Sequence, residues 1–143
     1  MAKIPEKLWS YINSAYPENV CLVCTQQPDG YAQASPRGSI VVYDAETLGY
    51  WNRGGGKTSE GVSDGSKVMV YFRDPATRND ELLPIGGIAR FYGTATVHKD
   101  GEVREKVWED MVQPERDRDP DKKGYAVLVK IERAENLAHK PLE

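Results

Sequence analysis

The stretch YAQASPRGSIVVYDAETLGYWNRGGGKTSEG, residues 31–61, decides the fold. It joins two β-type runs through a short turn and then enters a run of glycines followed by lysine and threonine. A parallel sheet around that glycine run would make it a nucleotide-hydrolysing loop. An antiparallel sheet would make it another kind of phosphate cradle, or a solvated hairpin end.

Three features favour the antiparallel sheet. Residues 20–26 (VCLVCTQ from Val20) read as a strand, and PDG at 28–30 is a turn. YAQASPRGSIVVY follows, a β-type run interrupted by Pro36 and Gly38. Such breaks mark an edge, a bulge or backbone held open for a ligand. A turn at Asp44–Glu46 leads into TLGYW at 47–51. Connections this short join antiparallel neighbours. The Walker A pattern also fails, because counting back from Gly56-Lys57-Thr58 requires glycine at position 51, which is Trp51.

The remaining elements follow from periodicity. Leu8, Trp9 and Ile12 predict a short helix over 5–16, with Pro5 in its first turn. A helical turn or two is expected at 56–65, weakened by Gly61. KVMVYF at 67–72 is a buried strand, RDPATRNDELLP at 73–84 a loop. From Gly86, GGIARFYGTATVH alternates, with Ala89, Phe91, Gly93, Ala95 and Val97 on one face. GEVREKVWEDMVQ at 101–113 is an amphipathic helix with Val103, Val107, Met111 and Val112 on one side. Glu102 and Lys106 are spaced to pair on the other. PERDRDPDKKG is a charged loop, and YAVLVKIERAENL at 125–137 the final strand. The sum is a mainly β (α+β) fold: a six-stranded antiparallel barrel with short covering helices, one domain over 1–143.

Composition bounds the function. The 143 residues are 39% hydrophobic and 29% charged with net charge −3, a profile that disfavours broad binding to nucleic acid or anionic membranes. No stretch approaches the roughly 20 apolar residues of a membrane helix, and the N-terminus lacks a signal-peptide core, so a cytoplasmic protein is expected. Cys21 and Cys24 are three apart on a strand and point to opposite faces, which reads as two packed thiols rather than a redox pair or zinc site. DRDPDKKG at 117–124 lacks the glycine and glutamate of a calcium loop, having Lys122 and Leu128 instead. His98 and His139 have no nucleophile partner. No metal site is expected.

The physical elements of phosphate binding survive in the glycine run. Gly54, Gly55 and Gly56 let backbone approach a ligand closely. A helix starting near Lys57 or Thr58 would aim unpaired N–H groups at an anion. Lysine in a first helical turn opposes the dipole by roughly 0.3–1 kcal/mol, which an anion held by hydrogen bonds worth roughly 1.5–3 kcal/mol each would more than offset. Arg53 is a second cation nearby.

SPRGSIVVY, TLGYWNRGGGKT, KVMVYFRDP and RFYGTATVHKDG, in this order and spacing, resemble the pyridoxamine 5′-phosphate oxidase-like proteins across roughly residues 5–137. The resemblance implies a six-stranded split β-barrel that forms a homodimer, with FMN in each of two grooves between the copies. It implies that Arg37 and Ser39, with Lys57 and Thr58 behind Gly56, hold the FMN phosphate. Backbone of Arg37, Gly38, Ser39 and Ile40 would face the polar edge of the flavin ring, Tyr50, Trp51 and Asn52 would meet the ring, and Arg53 would stand by the phosphate as a further cation. The chemistry is apt, since a phosphate monoester carries about −1.5 to −2 charges and needs more than one cation. Trp51 or Tyr50 stacks on the ring or packs as a core or interface aromatic; both readings stand. Arg90 and Tyr92 either reach a substrate or lie on an ordinary face.

The expected function is a flavin-dependent oxidoreductase acting on a small organic substrate, with no side chain named as acid or base. The family's oxidases carry a C-terminal arginine-rich segment and a basic residue at the position of Ile40. This chain has AENLAHKPLE at 134–143, so the resemblance does not carry the named oxidation with it. The alternative is a non-catalytic protein that binds or senses flavin, deazaflavin or haem on the same barrel.

Overall fold

The computed structural model describes residues 2–54 and 61–142. A 3₁₀ turn, Glu6–Leu8, leads into α1, Trp9–Asn13; Leu8 of the turn and Ile12 of the helix are buried as their spacing requires. Strands β1 (Cys21–Gln26), β2 (Ala32–Arg37), β3 (Val41–Asp44), β4 (Thr47–Asn52) and β5 (Lys67–Arg73) follow. Then come α2 (Pro75–Asn79), β6 (Ile88–His98), α3 (Gly101–Asp110), α4 (Gln113–Arg116) and β7 (Tyr125–Asn136).

All the strands join one antiparallel sheet in the order β2-β1-β5-β6-β7-β4-β3. The count is seven among the described residues, not the expected six. The run 31–43 is two strands: β2 carries Pro36 within its ladder and ends at Arg37, and Gly38 then passes where there is no room for a side chain. A Cβ on Gly38 would lie 2.8 Å from Cδ2 of Tyr16 and 3.0 Å from the Glu115 carboxyl. The chain therefore leaves the β1 partner at Arg37 and takes up β4 as partner from Val41.

That break determines the shape. β2 and β3 lie at opposite edges of the sheet, yet only Gly38, Ser39 and Ile40 separate them, which spans at most ~14 Å of extended chain. The sheet must roll until its edges meet. β4 is buried along its whole length, as a strand covered on both faces should be.

Inside the roll, Leu48, Val70, Phe72, Phe91, Val129 and Ile131 form the main core, closed at one end by α1. Outside it, α3 packs Val107 and Met111 on Val41, Trp51 and Ala126. Ala89, Phe91, Gly93 and Ala95 of β6 face inward as their alternation predicts, while Val97 is half-buried. Lys106 does not serve a pair with Glu102; it donates to the Tyr43 carbonyl (2.6 Å) and lies 4.0 Å from the Tyr43 ring centre.

Two helices stand where loops were expected. Asp74 caps α2, accepting from Ala76 N at 2.9 Å, with Pro75 in the first turn; this is the usual pair of helix-start signals. α4 shares only the first-turn proline, Pro114; its N-cap is Val112, which makes no side-chain cap bond. Of the helix expected at 56–65, residues 61–65 are described: Gly61 alone is helical, and Asp64-Gly65 form a turn.

Cys21 is buried inside the roll and Cys24 is half-buried on the opposite face, as strand alternation requires. Burial pushes the Cys21 thiol up to about 12.

Candidate functional site

The inner side of β2 is polar. Gln33, Ser35 and Arg37 stand opposite Thr25, Val23 and Cys21 of β1, so they share the face that points into the roll. Gln33 Nε2 donates to Ser35 Oγ at 3.1 Å. This seam lines the place where the rolled sheet's edges come together.

Arg37 ends the seam. Its guanidinium carbon lies 5.4 Å from the ring centre of Tyr50 on β4, the strand next to the far edge. Its Nε is buried and has no hydrogen-bond partner among the described residues. Burial pulls the guanidinium pKa down; nearby Arg53 adds to this, while Tyr50 and Glu115 oppose it. Tyr50 is fully buried, its hydroxyl likewise lacks a partner, and burial pushes its pKa up to about 12. Thr25 Oγ1 is a third buried polar atom without a partner among the described residues.

Such atoms are costly. An unpaired buried donor or acceptor costs roughly 1–3 kcal/mol, and native folds satisfy the great majority of them. A cation with an unspent donor in a partly dry gap attracts an anion more strongly than it would in water.

The backbone beside the gap is fixed by Ser39. Its buried Oγ accepts from Trp51 N at 3.0 Å and lies 3.4 Å from Trp51 O as a donor. This tie clamps 38–40 against β4. Ile40 is buried in the main core. Asn52, also buried, accepts from Gly54 N through Oδ1 at 2.8 Å. Gly54 has φ +85°, which turns the chain away from β4. Arg53 is exposed.

Trp51 faces the other way. Its ring meets Trp108 edge-on, centroids 4.9 Å apart, and Arg104 lies over it at 5.1 Å. Its Nε1 donates to Asp119 Oδ2 at 2.8 Å. The structure thus brings Arg37 to Tyr50, with Arg53 close enough to act on Arg37, places Gly38, Ser39 and Ile40 on the connection between β2 and β3 and Asn52 at the end of β4, and packs Trp51 under α3. Gly56, Lys57 and Thr58 lie outside the described residues.

Sequence reading missed Gln33 and Ser35, although their period-two spacing with Arg37 carried a signal. It also missed Thr25 and Glu115, which carried none. Among the described residues no cluster of side chains could hold a metal ion. His98 pairs with Thr96 (2.7 Å) and His139 with Glu135 (3.3 Å), so neither serves the gap. No helix of the described residues is long and apolar enough to cross a membrane.

Solved structures share this architecture. HupZ of Group A Streptococcus is 22% identical with a TM-score of 0.68, covering 98% of each chain. A protein related to general stress protein 26, of the pyridoxinephosphate oxidase family, from Clostridium acetobutylicum is 17% identical with a TM-score of 0.61, over 92% of this chain and 88% of that one. An FMN-binding protein from Syntrophomonas wolfei is 15% identical with a TM-score of 0.54, over 88% and 82%. At these identities the likeness establishes the fold. No curated protein matches. The family model described as pyridoxamine 5′-phosphate oxidase matches residues 12–137, which takes in nearly the whole of the rolled sheet. The chain belongs to the pyridoxamine 5′-phosphate oxidase family.

Proposed function

We propose that this chain, as one domain over 1–143 and as a homodimer in the cytoplasm, binds FMN at the gap between β2 and β4 of a split barrel. We further propose that it acts there as an oxidoreductase on a small organic substrate. One observation carries the reading: among the described residues, Arg37 keeps a buried Nε without a partner beside a Tyr50 hydroxyl that also has none.

The residues present suit an FMN phosphate. Arg37 offers a bidentate fork, with Arg53 close enough to perturb it. On the family resemblance, Lys57 and Thr58 supply the second cation and a hydroxyl, with Gly56 allowing close approach. The clamp from Ser39 to Trp51 holds the backbone of Gly38 and Ile40 rigid, so their amides are pre-organised for the polar edge of a flat ring. Tyr50 places a neutral hydroxyl donor at the same gap. FMN, when bound, supplies hydride and electron transfer; the protein binds, orients and excludes water. The FMN-binding neighbour and the shared fold support this reading.

An absorbance spectrum of the purified protein and a fluorescence titration with FMN test it. Binding is expected to quench FMN emission. Colourless protein that leaves added FMN unquenched would end the proposal. Turnover is tested by photoreducing the FMN-loaded protein and mixing it with oxygen and candidate acceptors. Reoxidation faster than that of free flavin supports the enzyme, and reoxidation at the free rate leaves a binding protein.

A further inference from the structure

A flat ring bound at the Arg37 gap needs an apolar wall with open surface, and neither aromatic of β4 offers one. Trp51 packs under α3, on the other side of the sheet. Tyr50 is fully buried, and the Arg37 guanidinium already stands over its ring.

The neighbouring strand supplies the wall. In the β4–β7 ladder, Tyr50 opposes Val127 and Asn52 opposes Tyr125. Residues two apart on a strand share a face, and so do directly opposed residues. Tyr50, Asn52, Val127 and Tyr125 therefore all point into the roll, whereas Trp51 and its partner Ala126 point out beneath α3. Burial agrees. Tyr50 and Val127 belong to the main core, and Tyr125 packs on the margin of that core while staying half-buried. It opens β7 where β4 ends.

Electrostatics puts Tyr125 at the same gap. Its hydroxyl acts on the Arg37 guanidinium and on the Tyr50 hydroxyl alike, so the three groups share one neighbourhood. The ammonium of exposed Lys99 stands 5.6 Å from the Tyr125 ring centre, and a solvated lysine on a flexible stem can swing aside. Tyr125 is thus an aromatic at the gap that is anchored by the core on one side and open on the other.

We propose that Tyr125 is the aromatic residue that meets the ring of the ligand held at Arg37. This rests on the flavin reading of that gap, and it gives Tyr125 the contact that the sequence offered to Tyr50 or Trp51. Arg37 grips the phosphate end, and Tyr125 packs against the isoalloxazine ring.

Titrating wild type, Tyr125→Leu and Tyr125→Phe with FMN and with riboflavin tests it. Leucine keeps apolar bulk but removes the aromatic contact, so Tyr125→Leu should weaken both ligands alike, by about fivefold to tenfold. Phenylalanine keeps the ring, so Tyr125→Phe should bind both within about twofold of wild type. A measurement on wild type itself guards against a variant that fails to fold: in tyrosine-labelled protein, with Tyr125→Phe assigning the signal, the Tyr125 ring protons should show NOEs to bound riboflavin. Undiminished binding of both ligands by Tyr125→Leu, a loss confined to FMN, a phenylalanine variant as weak as the leucine one, or the lack of those NOEs would overturn the proposal. Wild type that binds neither ligand would end the flavin reading and this assignment with it. Loss of FMN binding by Arg37→Gln beside full binding by Tyr125→Leu would leave the flavin reading standing and remove Tyr125 alone.

Discussion

Tyr50 and Trp51 are neighbours on β4, both buried, and they sit in opposite chemical worlds. Around Trp51 every polar atom is spent. Its indole N–H meets Asp119, which also accepts from Lys123 N (3.0 Å) and Gly124 N (2.8 Å). Arg104 donates to the carbonyls of Lys122 (2.6 Å) and Gly124 (3.2 Å). Only glycine fits at 124, where a Cβ would lie 2.6 Å from Trp51 Nε1. Around Tyr50, the hydroxyl and Arg37 Nε are buried and have no partner among the described residues. On the proposed function, a bound flavin would answer them. The contrast separates structure from site.

Mutation should break the two regions differently. The largest effect is expected at Trp51→Ala, which removes a buried aromatic and its tie to Asp119 and should destabilise the protein by about 3–5 kcal/mol in urea unfolding. A loss under 1 kcal/mol would mean that Trp51 is not a core residue. Asp119→Ala comes next, at about 1–3 kcal/mol, because the Trp51 indole N–H and two amides lose their acceptor.

The same carboxylate sets an acid limit. Burial alone would raise its pKa, but donors from Trp51, Lys123 and Gly124, with Arg104 nearby, together hold it below the ordinary 3.8. A depressed folded-state pKa contributes stability that is whole above the ordinary value and lost as pH falls beneath it. Wild type should therefore lose stability below about pH 4 more steeply than Asp119→Ala. Equal acid slopes would contradict the tie.

Tyr50→Phe should have the smallest effect on stability at neutral pH. Deleting a hydroxyl that has no partner should cost nothing, or stabilise by up to about 1 kcal/mol. In alkali the sign is also fixed. A tyrosine raised from 10.0 to about 12 gives stability that is full below pH 10 and lost as pH rises through 12. Wild type should fall behind Tyr50→Phe across that window. A variant much less stable than wild type at pH 7 would show that the hydroxyl has a partner after all.

Much of this was legible in the sequence. Alternation of apolar residues placed β5, β6 and β7 almost to the residue, and the breaks at Pro36 and Gly38 marked the gap. The seventh strand was not legible, because splitting 31–43 depends on Tyr16 and Glu115 crowding Gly38 from distant parts of the chain. Trp51 was read two ways because strand alternation cannot say which face lies under a helix. Asp74-Pro75 was read as loop although its capping chemistry was present; the five-residue helix is too short for periodicity to reveal.

The central claim is that Arg37's open donor grips the phosphate of a flavin. Titrating wild type and Arg37→Gln with FMN and with riboflavin tests it most directly. The account predicts a loss of roughly tenfold to a hundredfold in FMN affinity, with riboflavin almost unchanged. Equal losses for both ligands, or no loss for either, would contradict it.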